Sequence, residues 1–394
     1  MNRARRAGII ISSLAAATLT IAARGDVNRA AGQPSWQIFT SVHYGQKDNA
    51  SGYSSVIALA PGDAWAFGGT NPGGASAPKA ERWQGGRWRA SALPAGLSGF
   101  IVAADASSPK NIWAVGDGYA LHWNGSRWSV ANTWQQAGQV TSVVAISPDE
   151  AWVFGSPPSS DAAGLGAWHY DGRSWVRATG IAAAIYRASA VSASNIWAIT
   201  GSGLVAHYDG SDWDPVPGAS AALAGTQLDD VLAVSASDVW VSGITTAANT
   251  SGDVVLAHWN GTAWTRFTAP WPAQRAERFA ADGAGGIWIP VVTGGNSPQV
   301  WLLHMSRSGR WTRTQVIAGQ DAVVGIGDLT LVPGTSALWG AGGLLTPTGG
   351  NAAIWADGPA DQLAVASSGC VTKSKACAPA QPRPAPQRGR PRPA

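Results

Sequence analysis

Apolar residues in this chain fall into short runs separated by turn signals, and the runs repeat. Residues 140–147 (VTSVVAIS) are nearly all apolar or small, the composition of a strand buried on both faces. Pro148-Asp149-Glu150 then turns the chain into a second run, AWVFG at 151–155. A loop leads to GAWHY at 166–170. Asp171-Gly172 forms a tight hairpin signal, and a fourth run opens at Trp175. Four short strands joined in sequence predict an antiparallel meander, one blade of a propeller.

The unit recurs. Trp65, Trp113, Trp152, Trp197, Trp240, Trp288 and Trp339 each follow a short turn, at spacings of 39 to 51 residues. A second tryptophan, after a hairpin signal, follows six of them: Trp88, Trp128, Trp175, Trp213, Trp264 and Trp311. A period of this size marks a closed or stacked array. The expected fold is all-β, a seven-bladed β-propeller of four-stranded antiparallel blades over residues 33–366. The seventh unit lacks its second tryptophan, while PSWQIF at 34–39 supplies an orphan one, Trp36. The economical expectation is that the N-terminal strand closes the ring as the last strand of blade seven, removing an exposed sheet edge. The rival is that Asp361–Ala366 supplies that strand.

Charge sharpens the boundaries. Only 13% of residues are charged, against about 25% in a typical domain, so many side chains lie between packed sheets. Residues 1–24 carry Arg3, Arg5, Arg6 and Arg24 and no acid. Residues 370–394 carry Lys373, Lys375, Arg383, Arg388, Arg390 and Arg392 and no acid. The body between them holds the remaining 17 basic residues and all 23 acids, a balance near −6. That excludes a nucleic-acid-binding face on the body. Arginines ahead of the apolar run Ala7–Ala23, with small residues at its end, read as a signal peptide over 1–24, cleaved in preference to retained as an anchor. The expected location is therefore secreted or at the cell surface. From 367 the chain turns to Ser, Lys, Pro and Arg, a composition for a disordered basic tail over 367–394 that suits an anionic envelope polymer. Cys370 and Cys377 both lie in that tail; an exported protein can join them, but sequence does not decide it.

Phrases such as NIWAVGDGYALHWNGSRW and NIWAITGSGLVAHYDGSDW resemble the repeats of bacterial exported seven-bladed propellers, and are similar to regulator-propeller, tectonin and kelch-like Trp-Gly repeats. The resemblance spans about 330 residues and implies the fold. It implies no single activity, because propellers host binders, lyases and hydrolases alike. The Ser-x-Asp-x-Gly-x-Thr-Trp box of sialidases is absent, and Gly-His and Trp-Asp phrases do not recur.

Five histidines, His122, His169, His207, His258 and His304, occupy one repeat column. Equivalent positions on separate blades cannot converge on one ion, so a structural role bonding a nearby backbone carbonyl is expected. Asp63, Asp149, Asp238, Asn111 and Asn195 in the turns between first and second strands read as Asx-turns. The sharper pattern lies where the first strand of each blade begins. The aligned pairs are Ser54-Ser55, Phe100-Ile101, Thr141-Ser142, Tyr186-Arg187, Asp229-Asp230, Glu277-Arg278 and Asp328-Leu329. Charge therefore gathers in blades four to seven. The loops between second and third strands share that face and are long in blades one, three, five, six and seven. Trp271, just ahead of Glu277, has no repeat role and adds an aromatic. The candidate ligand-binding set is Tyr186, Arg187, Asp229, Asp230, Trp271, Glu277, Arg278 and Asp328.

No nucleophile motif and no phosphate-cradling glycine loop occurs, and only three glutamates exist. The expected function is non-enzymatic binding of a protein or glycan at the channel mouth by a monomer. The alternative is a carbohydrate-active hydrolase or lyase using the same acids. No cofactor is expected, except that the grouped acids could take Ca²⁺.

Overall fold

The computed structural model describes residues 36–358, apart from 43–49, 72–73, 135–138, 157–164, 181–183, 246–250, 295–298, 317–321 and 347–348. The predicted signal segment, both cysteines, the tail and the rival closing strand at 361–366 lie outside the described residues. Among the described residues no helix is long and apolar enough to cross a membrane.

The described strands form seven separate sheets, one per predicted repeat. Blade three shows the pattern. Gln139–Ser147, Glu150–Ser156, Ala167–Tyr170 and Trp175–Arg177 pair in order as an antiparallel meander. Blade six is the irregular one. Its first strand is broken into Arg275–Ala276 and Ala280–Ala281, both against Ile287–Val292. In blade seven Val323–Leu331, Leu338–Thr346 and Gly349–Asp357 pair in order, and Gln37–Val42 lies antiparallel on Gly349–Asp357 as the outermost strand.

The tryptophan columns are the packing between blades. Each first-column ring is buried, with at most 9% of its surface exposed at Trp288. The rings of blades one to four and seven meet the third- and fourth-strand aromatics of the next blade, and Trp240 of blade five shares its core with Met305 and Trp311 of blade six. Trp65 packs on Trp123 and Trp128 at 5.0 and 5.5 Å between centroids, Trp113 on Tyr170 and Trp175 at 5.4 and 5.5 Å. Trp339 of blade seven reaches Trp83 and Trp88 of blade one, each at 5.2 Å. Trp288 of blade six meets Trp36 edge-on at 6.3 Å, so Trp36 fills the place a fourth-strand tryptophan takes elsewhere. Aromatic pairs at these separations add about 0.5–1.5 kcal/mol each beyond area burial.

The histidine column is structural, but its partners differ from those expected. Four rings bond an acidic or amide side chain rather than a backbone carbonyl: His122 with Asn111 (2.7 Å), His207 with Asn195 (3.2 Å), His258 with Asp238 (2.9 Å) and His304 with Asp282 (2.8 Å), while His169 lies 3.4 Å from Glu150. His122, His169, His258 and His304 also stack on the first-column tryptophan of their own blade at 4.1–4.4 Å. Asn111, Asn195 and Asp238 thus anchor imidazoles, and Asp282 does both, its Oδ1 accepting the Ala284 and Gly286 amides of its own turn. Blade one replaces the histidine with Arg82, bonded through two nitrogens to Asp63 and lying 5.1 Å from the Trp65 ring. Asx-turns recur at the other hairpin. Asn124, Asp171, Asp209 and Asn260 each accept two following backbone amides.

Candidate functional site at the channel mouth

First strands line the central channel, and a β-bulge interrupts them near their starts. The register shifts between Tyr53 and Ser55, Val140 and Ser142, Ile185 and Arg187, Leu228 and Asp230, and Ile326 and Asp328. A bulge sets two residues against one on the partner strand and re-aims their side chains. This presses the channel strand's backbone against the second strand, which explains the glycine three residues after the repeat tryptophan. A Cβ on Gly68 would lie 2.0 Å from the Gly52 carbonyl oxygen. One on Gly342 would lie 1.8 Å from that of Gly325, and one on Gly243 2.2 Å from that of Gln227. Val291 stands at this place in blade six, where the channel strand is broken, and Thr200 in blade four, where the bulge is present, so the bulge favours a glycine there without requiring one.

Pairing also corrects the alignment. Ser55, Ala103, Ser142, Arg187, Asp230 and Asp328 face Phe67, Val115, Phe154, Ile199, Ser242 and Ala341 and are equivalent. Arg278 holds the same place, two residues ahead of Ala280 opposite Trp288. Blade two therefore contributes Val102-Ala103 rather than Phe100-Ile101, and blade seven Gly327-Asp328 rather than Asp328-Leu329. The bulge residues proper are Ser54, Thr141, Tyr186, Asp229 and Gly327, and Val102 and Glu277 hold the same place in blades two and six.

The residue after each bulge ties one blade to another. Ser142 Oγ accepts the Ala188 amide (3.2 Å), Asp230 the Phe279 amide (3.2 Å) and Asp328 the Val56 amide (3.0 Å). In each case the acceptor belongs to the preceding blade and the amide to the next, at matching register, so all channel strands run the same way. Two arginines add to these ties, Arg278 across longer gaps. Arg278 of blade six donates to the Ser54 carbonyl of blade one (3.2 Å) and the Val102 carbonyl of blade two (3.0 Å), and lies 3.5 Å from Asp328. Arg187 donates to the Thr141 carbonyl of blade three (3.0 Å) and to the Tyr186 carbonyl (2.9 Å). Six of the predicted residues thus form one electrostatic group, with Arg187 feeling Arg278, Asp230, Asp328 and Glu277.

Burial dominates its titration. It pulls the Arg187 guanidinium down to about 10, with Arg278 adding to the effect. It pushes Asp229 up to about 7, reinforced by Glu277 and Asp230, and Asp230 up to about 6 against the pull of Arg187 and Arg278. Glu277 is raised by burial and opposed by Arg275, whose guanidinium bonds it. Asp328 is raised by burial and opposed by Arg278. One Asp229 carboxylate oxygen is buried with no hydrogen-bond partner, and so are the Nε atoms of Arg187 and Arg278. At Gly327 a Cβ would meet nothing within 4 Å, so the lumen is open beside blade seven.

Tyr186 belongs to the group by position and is 49% exposed, its ring lying over Gly201. Trp271 does not join it. It sits in the outermost strand of blade five, Trp264–Ala273, with the Arg313 guanidinium 4.7 Å from its ring; the same guanidinium lies 4.5 Å from Trp301. Arg313 is on the outermost strand of blade six, Trp311–Gln315. At about 4.8 Å per strand, that position is some 14 Å from the channel strand. The second-to-third connection of blade seven is short, with strands ending at Thr346 and resuming at Gly349. Among the described residues no three His, Cys, Asp or Glu side chains group to hold a metal ion.

No protein-family model and no curated protein matches the chain by sequence. Its fold is shared with solved structures. YCF48 from Cyanidioschyzon merolae is 14% identical with a TM-score of 0.56, over 82% of this chain and 98% of that one. YCF48 bound to D1 peptide gives 14%, 0.52, 82% and 96%. A GH74 xyloglucanase from Xanthomonas campestris gives 16% and 0.51 over 82% of this chain; the match spans 53% of that enzyme. At such identities the likeness concerns the propeller alone.

Proposed function

We propose that this is a non-catalytic binding propeller, acting outside the cell, whose ligand is a protein segment or a glycan seated at the channel mouth. One observation carries the reading. Three successive blades carry Tyr186, Asp229 and Glu277 at the same place in their channel strands, at a bulge in blades four and five and at the strand break in blade six, while the neighbouring residues are already spent on blade-to-blade bonds. The arrangement divides labour: Arg187, Asp230, Arg278 and Asp328 hold the frame, and the other three side chains meet the ligand. An exposed ring beside oriented carboxyls suits a sugar or peptide, where stacking supplies contact and polar groups fix orientation. A solved relative of the fold that holds a peptide, and others that are glycoside hydrolases, support either ligand class at the level of fold.

The test is the triple variant Tyr186→Ala, Asp229→Asn, Glu277→Gln, assayed on a glycan array and in capture from cell-envelope extracts. Partners held by the native chain should be lost while the melting temperature stays within a few degrees. Undiminished capture by the folded variant sinks the placement. One observation favours a second reading, a glycoside hydrolase. Asp229, raised to about 7, beside Glu277 gives two carboxyls in unlike environments, the pattern of an acid paired with a base or nucleophile. Turnover of chromogenic glycosides that disappears in Asp229→Asn alone would replace the binding reading.

A further inference from the structure

Three cations, Arg187, Arg275 and Arg278, meet four acids, Asp229, Asp230, Glu277 and Asp328, at the channel mouth, so with every group charged one negative charge is left over. Their partners identify the surplus. Asp230 accepts the Phe279 amide, Asp328 accepts the Val56 amide and lies beside Arg278, and Glu277 is held by Arg275. Among these acids only Asp229 has a buried carboxylate oxygen with no hydrogen-bond partner.

The frame has no use for an ionised group at this place. In blades one and three the bulge residue is a hydroxyl that donates to a carbonyl of the following blade, Ser54 to Ile101 and Thr141 to Ile185, the latter at 2.7 Å. A carboxylate only accepts hydrogen bonds, and a carbonyl has none to give it. Ionised Asp229 therefore cannot make the tie that Ser54 and Thr141 make. Beside it, Tyr186 holds the equivalent place in blade four with its ring half exposed. The two channel strands lie one side chain apart, since the Ala233 amide of blade five donates to Ser189 Oγ of blade four at 3.0 Å.

We infer that the mouth takes a lysine side chain from an extended protein segment, its ammonium settling on Asp229 and its stem along Tyr186. This rests on the binding reading above and names the chemistry that the mouth selects. Charge complementarity carries it, because a single ammonium balances the cations against the acids. A guanidinium suits the place less well: its fork needs both carboxylate oxygens, and one of those on Asp229 is buried. An amine borne directly on a sugar ring has no stem to reach between two strands, whereas a lysine stem does and packs on an exposed aromatic face. Binding also exchanges a proton. Burial raises the Asp229 carboxyl to about 7, with Glu277 and Asp230 adding to the effect and Arg275 and Arg187 opposing it. Below that pH the ligand's ammonium must displace the proton, so affinity falls by up to about tenfold per pH unit; above it affinity is flat.

The experiment measures binding of the full chain to labelled peptides that differ only at a central lysine, acetyl-lysine, arginine or norleucine, and to a de-N-acetylated chito-oligosaccharide, by fluorescence anisotropy across about pH 5 to 8. The lysine peptide should bind about tenfold or more tighter than the acetyl-lysine peptide at the upper end of that range. Asp229→Asn should abolish this preference and its pH dependence together. Glu277→Gln should keep the preference and move its pH midpoint down, since a neighbour that raises Asp229 has gone; a purely structural Asp229 would show neither effect. Melting curves confirm that each variant is folded. Equal binding of lysine and acetyl-lysine peptides, equal binding of lysine and arginine peptides, a preference that survives Asp229→Asn, binding of the chito-oligosaccharide alone, or no binding of any peptide overturns the inference. Its failure is distinct from that of the binding reading: if the triple variant loses its envelope partners while the native chain treats lysine and acetyl-lysine alike, the mouth stands and the lysine falls.

Discussion

Trp197→Ala tests whether the repeat tryptophans are the mortar between blades. The ring is 3% exposed and meets Trp259 and Trp264 of blade five at 6.2 Å each. Its Nε1 donates to Asn195 Oδ1 at 2.7 Å, and that oxygen also bonds His207. Burying about 200 Å² of ring at about 25 cal/mol per Å² gives roughly 5 kcal/mol, and Trp→Ala core changes cost about 3–5 kcal/mol. The hydrogen bond adds little to the loss, because His207 still satisfies Asn195. A ring of about 320 residues unfolds with an entropy near 0.7 kcal/mol per kelvin, so the melting temperature should fall by about 5–7 °C. Urea titration and calorimetry on the same sample check the two figures against each other. A shift near zero in a fully folded variant would refute inter-blade packing and make these tryptophans candidates for surface binding.

Deleting residues 34–42 should expose the Gly349–Asp357 strand and strip Trp288 of its Trp36 contact, promoting aggregation far more than deleting 361–394 does. The opposite ranking in light scattering would move the closing strand to the C-terminus. Gly68→Ala should destabilise by roughly 1–3 kcal/mol or more, since its Cβ meets a backbone carbonyl, while Gly327→Ala, facing open lumen, should be nearly neutral; equal effects would remove the bulge explanation. Asp229, raised in the fold to about 7, contributes stability fully below its ordinary pKa near 3.8 and loses it as pH rises through about 7. Asp229→Asn should therefore remove roughly 2–4 kcal/mol of the decline between pH 4 and 8, read by chemical denaturation at each pH. His122 and His207, lowered by burial, act in the other sense, their contribution being lost as pH falls below the ordinary histidine value. Asn at either histidine should flatten the acid limb of the same profile.

The candidate site was partly legible. Charge at the starts of the blade-four to blade-six channel strands stands out because Tyr186-Arg187, Asp229-Asp230 and Glu277-Arg278 interrupt runs that are otherwise apolar or small. The bulge was the missing element. It shifts blade two by two residues and blade seven by one, and only the Trp-x-x-Gly phrase hints at it, through a glycine with no turn to make. Trp271 misled for a simple reason: four residues separate it from Arg275 along the chain, yet the chain passes from the outermost strand of one blade to the innermost of the next between them. The histidine partners were hidden in the same way, since the turn and the third strand that hold them meet only across the second strand.

What the sequence determined by itself was the repeat: seven units, four strands in each, tryptophans between blades and glycines at the turns. These follow from local periodicity and from packing that each unit asks of its neighbour in the same way. What only the tertiary structure decided was how unlike residues of different units combine. Arg278 reaches carbonyls two and three blades on, Asp230 and Asp328 are consumed in blade-to-blade bonds, and Asp229 keeps a buried oxygen without a partner. Closing an array brings residues far apart in the chain to one axis, and no period in the sequence records which of them will meet there.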